Sequence, residues 1–242
     1  MKRSSRALVV VFALCTVATP LRAQSVADPS GHWEGAVQLP GSPVGIEVDL
    51  ASNGAEPLAG TVTIPSQGMN GFPLSGVAAE GSSIRFQLRG VVGERLFKGV
   101  VSADGASISG EFTQAGYTLP FSLIRMGDAR IAEQPKSAPI GTELEGTWNG
   151  AVDANGVSEQ FVLTMSNHTD GTAVGSVLSV GQGLDIPISR ITQSASSLTL
   201  DFRSVGGAYT GTLNHEGTEV VGIYTQGSVA LPVTFRRAAT AD

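Results

Sequence analysis

The sequence predicts an all-β protein in which a signal peptide precedes two tandem small antiparallel β-barrels of about eight strands each. Three observations support this fold class. The chain repeats itself over residues 31–125 and 146–237. Both repeats contain short runs, many of them alternating apolar and polar residues, that are rich in β-branched and aromatic side chains. No window shows the i, i+3, i+4, i+7 spacing of an amphipathic helix, and the 31 glycines favour tight turns over helices.

The first 23 residues have the parts of a secretory signal peptide. Basic residues precede an apolar run of about a dozen residues, and a cleavage site follows before Gln24. The apolar run is too short to span a bilayer comfortably. We therefore expect an exported protein, periplasmic or extracellular, whose mature chain begins with a short segment at 24–30 and has no transmembrane segment.

The one cysteine of the chain, Cys15, lies inside this leader. The bulky Leu14 stands where a lipoprotein signal has a small residue, so we expect no lipid anchor at Cys15. Without the leader the chain has no disulfide, thiol nucleophile or cysteine-bound metal. Removing the four basic residues of the leader changes the net charge from −6 to −10. Such an acidic chain, with no basic patch, argues against nucleic acid and anionic membranes as partners.

The two repeats share their opening and their ending. Each opens with Gly-x-Trp-x-Gly, at Gly31–Gly35 and at Gly146–Gly150. Each closes with Leu-Pro and a strand that ends in arginine. Between the predicted strands stand pairs typical of hairpin turns, at Asn53-Gly54, Asp104-Gly105, Asp170-Gly171 and Glu216-Gly217.

The stretch between the repeats, 126–145, is polar and contains two prolines. It is predicted to be a linker. The last five residues, 238–242, are predicted to be a tail.

Both tryptophans of the chain stand in the opening motif. Trp33 and Trp148 begin the first strand of each repeat, and Arg125 and Arg237 end the last. If the sheet closes, first and last strands are neighbours, and each arginine lies over an indole face. Such a cation–π contact contributes about 0.5–2 kcal/mol. We predict that each pair plugs one end of its barrel.

These motifs resemble two known families. Gly-x-Trp on the first strand, with a basic residue after the last, resembles the calycin superfamily of lipocalin-type barrels, although each repeat is short for a lipocalin. The order of motifs along both repeats resembles a β-repeat module of exported bacterial proteins that often precedes an α/β-hydrolase domain. This resemblance implies an accessory role and an exported hydrolase as a partner. The 242 residues contain no hydrolase domain of their own.

No catalytic motif stands out in the sequence. The Gly-x-Ser-x-Gly elbow of hydrolases is missing. The histidines, at 32, 168 and 215, have no counterpart in the other repeat, and we expect them on the surface or in turns. Glu47 and Asp49 share one face of a strand, which suits acid–base chemistry or a cation but is more simply a solvent face. We expect a protein that is not an enzyme, with no catalytic residues, no metal site and no cofactor.

Glutamines recur at matched positions of the two repeats, before a Pro-containing strand and after an aromatic-Thr pair. A side-chain amide both donates and accepts hydrogen bonds, so at a barrel mouth these glutamines can orient a ligand. Alternatively, they satisfy backbone groups in turns. Nearby aromatic residues are core residues or walls of the mouth. The candidate ligand-binding residues are Gln67, Gln114, Gln182, Gln226, Tyr209 and Tyr224.

Two functions therefore stay open. The first is a non-catalytic exported protein that binds a small apolar or amphipathic ligand. The second is a detached accessory domain that acts on an exported α/β-hydrolase or peptidase through protein–protein contact. An apolar cavity with a polar mouth favours ligand binding, whereas filled interiors favour protein contact.

Overall fold

The computed structural model describes residues 28–52, 58–90, 95–154 and 157–239. The predicted signal peptide with Cys15, residues 24–27 of the following segment, the Asn53-Gly54 turn and the last three residues lie outside the described residues. Within the described ranges the chain is all-β, with strands joined by turns and two short 3-10 turns, at Pro65–Gln67 and Arg203–Val205. The predicted fold class is confirmed.

The first repeat forms a closed barrel of eight antiparallel strands, each paired with the next along the chain. Strand β8 pairs back with β1, and this pairing closes the barrel. The strands are β1 (Gly31–Val37), β2 (Val44–Ala51), β3 (Ala59–Ile64), β4 (Met69–Glu80), β5 (Ser83–Leu88), β6 (Leu96–Val101), β7 (Ser107–Gln114) and β8 (Tyr117–Gly127).

Aromatic side chains fill the interior of the first barrel. Phe86 and Phe97 stack with their ring centroids 4.8 Å apart. Phe121 meets Phe97 edge-on at 5.2 Å, and Phe112 lies 4.5 Å from the same ring. These side chains point inward because successive residues of a strand face opposite sides of the sheet. The result is a packed core, as expected for a small barrel.

The second repeat forms a nine-stranded antiparallel sheet in which β9 and β17 pair, as β1 and β8 do in the first. The ends of this sheet are β12 and β13, which follow one another in the chain. The strands are β9 (Gly146–Ala154), β10 (Val157–Asn167), β11 (Ala173–Ser179), β12 (Leu184–Pro187), β13 (Arg190–Ser194), β14 (Ser197–Phe202), β15 (Gly207–Leu213), β16 (Glu219–Gln226) and β17 (Val229–Arg237).

The ninth strand arises because one long strand is broken into two. In the first repeat β4 runs without interruption and pairs with β3 and β5, with a register shift between Ser75 and Ala78. In the second repeat the chain bends between β12 and β13. There the Ile188 amide donates to Gly175 O at 3.0 Å, and the Ser189 amide donates to Asp201 O at 2.7 Å. Backbone hydrogen bonds thus continue on both sides of the bend, and the sheet keeps its barrel shape.

An arginine covers the tryptophan of the opening motif in both barrels, as the sequence predicts. The guanidinium carbon of Arg125 lies 4.2 Å from the centroid of the Trp33 ring, and Arg237 lies at the same distance from Trp148. Both indoles are fully buried. Each indole also donates to a carbonyl four residues earlier in the chain, that of Pro29 or Leu144, at 3.0 Å.

Each of these arginines also hydrogen-bonds to backbone carbonyls around the barrel end. Arg125 donates to the carbonyls of Asp28, Ser30 and Gly105. The equivalent acceptors of Arg237 are the carbonyls of Glu143, Glu145 and Gly217. Each arginine therefore joins the segment that enters its barrel to a hairpin. In the first barrel this is the hairpin between β6 and β7, and in the second it is the hairpin between β15 and β16. Gly31 makes room for this arrangement, because a Cβ there would lie 2.6 Å from a guanidinium nitrogen of Arg125.

The predicted linker packs against the second barrel in its later half. Ser137 forms a bridge with Ala173, and its hydroxyl accepts a hydrogen bond from the Ile191 amide at 2.8 Å. Ile140 and Leu144 are buried in the core of the second barrel. This half of the segment is thus an integral part of the second unit.

The two barrels contact one another along β12. Gly90 forms an antiparallel bridge with Leu184, and Arg89 pairs with Asp185 at 2.6 Å. Leu184 and Ile186 pack against the core of the first barrel. The open end of the second barrel therefore lies beside the first.

His32 and Asp49 are buried, and the expectation that they lie on the surface is wrong. His32 Nδ1 lies 2.9 Å from Asp49 Oδ1, and Nε2 lies 3.1 Å from Glu34 Oε1. The Arg130 amide donates to the same Asp49 oxygen at 2.8 Å. The chain that leaves the first barrel thus passes Asp49, and partnering makes burial of these polar groups tolerable. His168 and His215 are exposed, as expected.

Arg237→Ala is expected to lower the free energy of unfolding by about 1–2 kcal/mol, because it removes the cation–π contact and the hydrogen bonds at the barrel end. Urea denaturation followed by tryptophan fluorescence measures the change. The neighbouring Arg236→Ala is the control, because its exposed pair with Glu219 contributes less than about 1 kcal/mol. Equal effects of both variants would contradict the predicted role of Arg237.

His32→Ala is expected to cost about 1–3 kcal/mol, because it leaves the buried Asp49 carboxylate without one of its partners. His215→Ala, in an exposed turn, is expected to change stability very little. Thermal denaturation of the two variants compares these costs. A His32→Ala protein as stable as wild type would show that the buried pair contributes nothing.

Candidate functional site

The second barrel contains a cavity of about 540 Å³ that is open on one side. Its wall is mostly apolar, and Gln67 and Met69 of the first barrel complete the lining. The cavity therefore lies where the second barrel opens beside the first. The apolar wall includes Phe161, Val177, Phe202, Val205, Leu231 and Phe235.

At three positions of the cavity lining the side chain is smaller or more polar than its counterpart in the first barrel. Val233 lines the cavity at the position equivalent to Phe121 of the first repeat. Glu159 and Ser179 line it at positions equivalent to Val44 and Ile64. The strand registers agree with this match, since Val44 pairs with Val37 and Glu159 pairs with Val152. Val233 and Ser179 are smaller than their counterparts and leave space. The break between β12 and β13 is a second difference from the first barrel.

Glu159 and Ser179 form the polar end of the cavity. The Ser179 hydroxyl donates to Glu159 Oε1 at 2.6 Å, and the Gly181 amide donates to the same oxygen at 3.1 Å. Ser179 is buried and Glu159 is half-buried. These hydrogen bonds hold the carboxylate at the turn between β11 and β12.

Three of the four predicted glutamines line the cavity, and they play different roles. Gln226 donates to Val205 O at 2.6 Å and accepts from the Tyr224 hydroxyl at 3.3 Å. For Gln226 the alternative of satisfying a backbone group therefore applies. Gln67 and Gln182 are exposed at the rim, and within the described residues no hydrogen bond engages their side chains. Gln114 is exposed on the first barrel and does not line the cavity.

Both predicted tyrosines line the cavity, yet their hydroxyl groups are engaged. The Tyr209 hydroxyl donates to the carbonyls of Val220 and Val233, at 3.0 and 3.2 Å. Burial raises the pKa of Tyr209 and of Tyr224 above the usual value, so both phenols keep their proton to a higher pH than an exposed tyrosine does. Tyr209 is a buried core residue, and both tyrosines line the cavity.

The sequence reasoning missed Glu159 and Ser179. Both are unremarkable in a single repeat, since a polar residue next to an alternating strand is common. The available signal was a comparison of the repeats position by position, because polar residues replace apolar ones at two inward positions of matched strands.

Among the described residues, no group of three or more histidine, cysteine, aspartate or glutamate side chains is placed to hold a metal ion. Within the same residues, no helix has the length and apolar character needed to cross a membrane.

No protein-family model matches the chain, and no curated protein sequence matches it significantly. Its resemblance to the Gly-x-Trp-x-Gly module of exported proteins stays a prediction. Two solved structures align with it at low similarity. The "putative outer membrane protein" of Bacteroides fragilis NCTC 9343 is 11% identical over 86% of this chain and 97% of its own, with a TM-score of 0.27. A protein of unknown function from the DUF3598 family of Nostoc punctiforme PCC 73102 is 15% identical over 89% and 97%, with a TM-score of 0.23.

Tyr209→Phe is expected to reduce the alkaline destabilisation of the protein. The raised pKa means that the folded state keeps the phenol proton while the unfolded state loses it above pH ~10. The contribution of Tyr209 to the free energy of unfolding is therefore constant at lower pH and falls as the pH rises past ~10. Urea denaturation at pH ~8 and ~11 measures the slope. The exposed Tyr117→Phe is the control, and an unchanged slope in Tyr209→Phe would contradict the prediction.

Proposed function

We propose that the protein is a non-catalytic binding protein and that its second barrel holds a small apolar or amphipathic molecule. The observation that carries the proposal is the cavity of about 540 Å³ with an apolar wall and a polar rim. Its volume lies within the usual range of roughly 300–1,000 Å³ for small-molecule sites, which combine apolar walls with a few placed polar groups.

The first barrel supports the proposal as an internal comparison. It has the same strand order up to the break in β12 and β13, and its interior is filled by phenylalanines. The backbone of the repeat therefore does not require a cavity. In the second repeat the smaller Val233 and Ser179 and the break between β12 and β13 accompany a cavity. A bound apolar molecule would offset its cost in packing.

Export is part of the proposal, supported by the leader in the sequence. The alternative, an accessory role beside an exported hydrolase, makes the opposite prediction for the cavity: it stays empty, and the outer surface binds the partner.

Native mass spectrometry of the gently purified protein tests for a bound molecule. Extra mass that is lost on denaturation supports the proposal and identifies the ligand. Titration with the uncharged fluorophore N-phenyl-1-naphthylamine tests the site directly, since its emission rises in an apolar environment. Absence of both signals would overturn the proposal and favour the accessory role.

Val233→Phe is expected to weaken binding of the fluorophore by about tenfold or more, because it puts into the cavity the ring that Phe121 supplies in the first barrel. Gln182→Trp blocks the rim from an exposed turn without changing the core. Val221→Phe, on the exposed outer face of β16, is the size-matched control. Thermal denaturation checks that each variant is folded. If both cavity variants bind the fluorophore as tightly as the wild-type protein does, the fluorophore does not bind in the cavity.

A further inference from the structure

Glu159 is the one charged side chain among the described residues that line the cavity. No lysine, arginine or histidine of the described chain lines it. Arg89, in the contact between the barrels, is already paired with Asp185. Among the described residues that line the cavity, no cationic side chain therefore balances the negative charge at its polar end.

The carboxylate of Glu159 has one oxygen left for a ligand. Both of its hydrogen bonds within the described residues, from the Ser179 hydroxyl and the Gly181 amide, go to Oε1. These donors fix the carboxylate beside the turn that carries Gln182. Oε2 makes no hydrogen bond within the same residues. An ionised carboxylate is an acceptor with room for several donors.

We propose that the ligand is an amphiphile with a cationic head, such as an ammonium group, whose apolar tail occupies the cavity. The head donates to Glu159 Oε2, and the free amides of Gln67 and Gln182 supply further acceptors at the rim. This inference rests on the proposed function and names the ligand class of the same site.

The charge of the site disfavours an apolar ligand with a carboxylate head. A carboxylate placed at this end would lose water, meet no cation and lie close to another carboxylate. Burial of a charge without a partner is unfavourable. An uncharged head avoids the repulsion but gains no ion pair.

The comparison of repeats again supports the assignment. The position of Glu159 is occupied by Val44 in the first barrel, where the interior is filled. The acidic residue thus accompanies the cavity. A purely structural role, in which Glu159 holds the turn at Gly181, needs only the acceptor Oε1 and not the charge.

Displacement of N-phenyl-1-naphthylamine by three ten-carbon probes at pH 7 tests the ligand class: decylammonium, decanol and decanoate, each below its aggregation concentration. Decylammonium is expected to displace the fluorophore at concentrations about tenfold lower than decanoate does, with decanol between them. Added salt is expected to reduce the ratio of the displacing concentrations of decanoate and decylammonium, because it screens the charges.

Glu159→Gln separates the charge from the hydrogen bonds, because the side-chain amide oxygen still accepts from Ser179 and Gly181. In this variant the displacing concentrations of decylammonium and decanoate are expected to differ by only about twofold. Glu219→Gln, which removes a charge on the outer face of β16, is the matched control and is expected to keep the full difference.

Two results would overturn the inference while leaving the proposed function intact. One is decanoate binding as tightly as decylammonium in the wild-type protein. The other is a preference for decylammonium that persists in Glu159→Gln. If neither the fluorophore nor any probe binds the folded protein, the proposed function fails, and the inference fails with it.

Discussion

The structure depends on the pairing of the first and last strands in each repeat. In the first repeat this pairing closes the sheet and removes the edges that an open sheet would expose. In the second repeat it joins β9 to β17 in the middle of a sheet whose ends are β12 and β13. In both barrels an arginine from the last strand lies over a buried indole from the first and binds carbonyls of the entering segment and of a neighbouring hairpin. One side chain therefore joins three parts of the chain, none of which is held by a disulfide within the described residues.

The interiors of the two barrels differ although their Arg–Trp contacts are alike. The two repeats share strand order, the Arg–Trp contact and the glycine turns, yet one interior is filled by phenylalanine rings and the other contains a cavity. The cavity accompanies smaller residues at inward positions such as Val233 and Ser179, and a break between β12 and β13. A barrel whose closure is secured elsewhere tolerates such changes, because strand pairing relies on backbone hydrogen bonds rather than on a particular core.

The glutamines illustrate how far sequence reasoning reaches. Their recurrence at matched positions located one end of the barrel, and three of the four line the cavity. Their recurrence did not reveal that Gln226 binds the Val205 carbonyl while Gln182 makes no hydrogen bond within the described residues. Sequence reasoning also did not predict the buried pair of His32 and Asp49. Its partners are far apart in the chain, since Arg130, whose amide donates to Asp49, lies 81 residues away.

The sequence by itself determined the all-β class, the two repeats and the Arg–Trp contact, because these follow from local periodicity, from turn residues and from the rule that a closed barrel joins its first and last strands. Only the tertiary structure decided which interior is open, that the second barrel opens beside the first, and that a carboxylate lies at the cavity end. These depend on the summed volume and charge of side chains brought together from distant strands, which no single stretch of sequence contains.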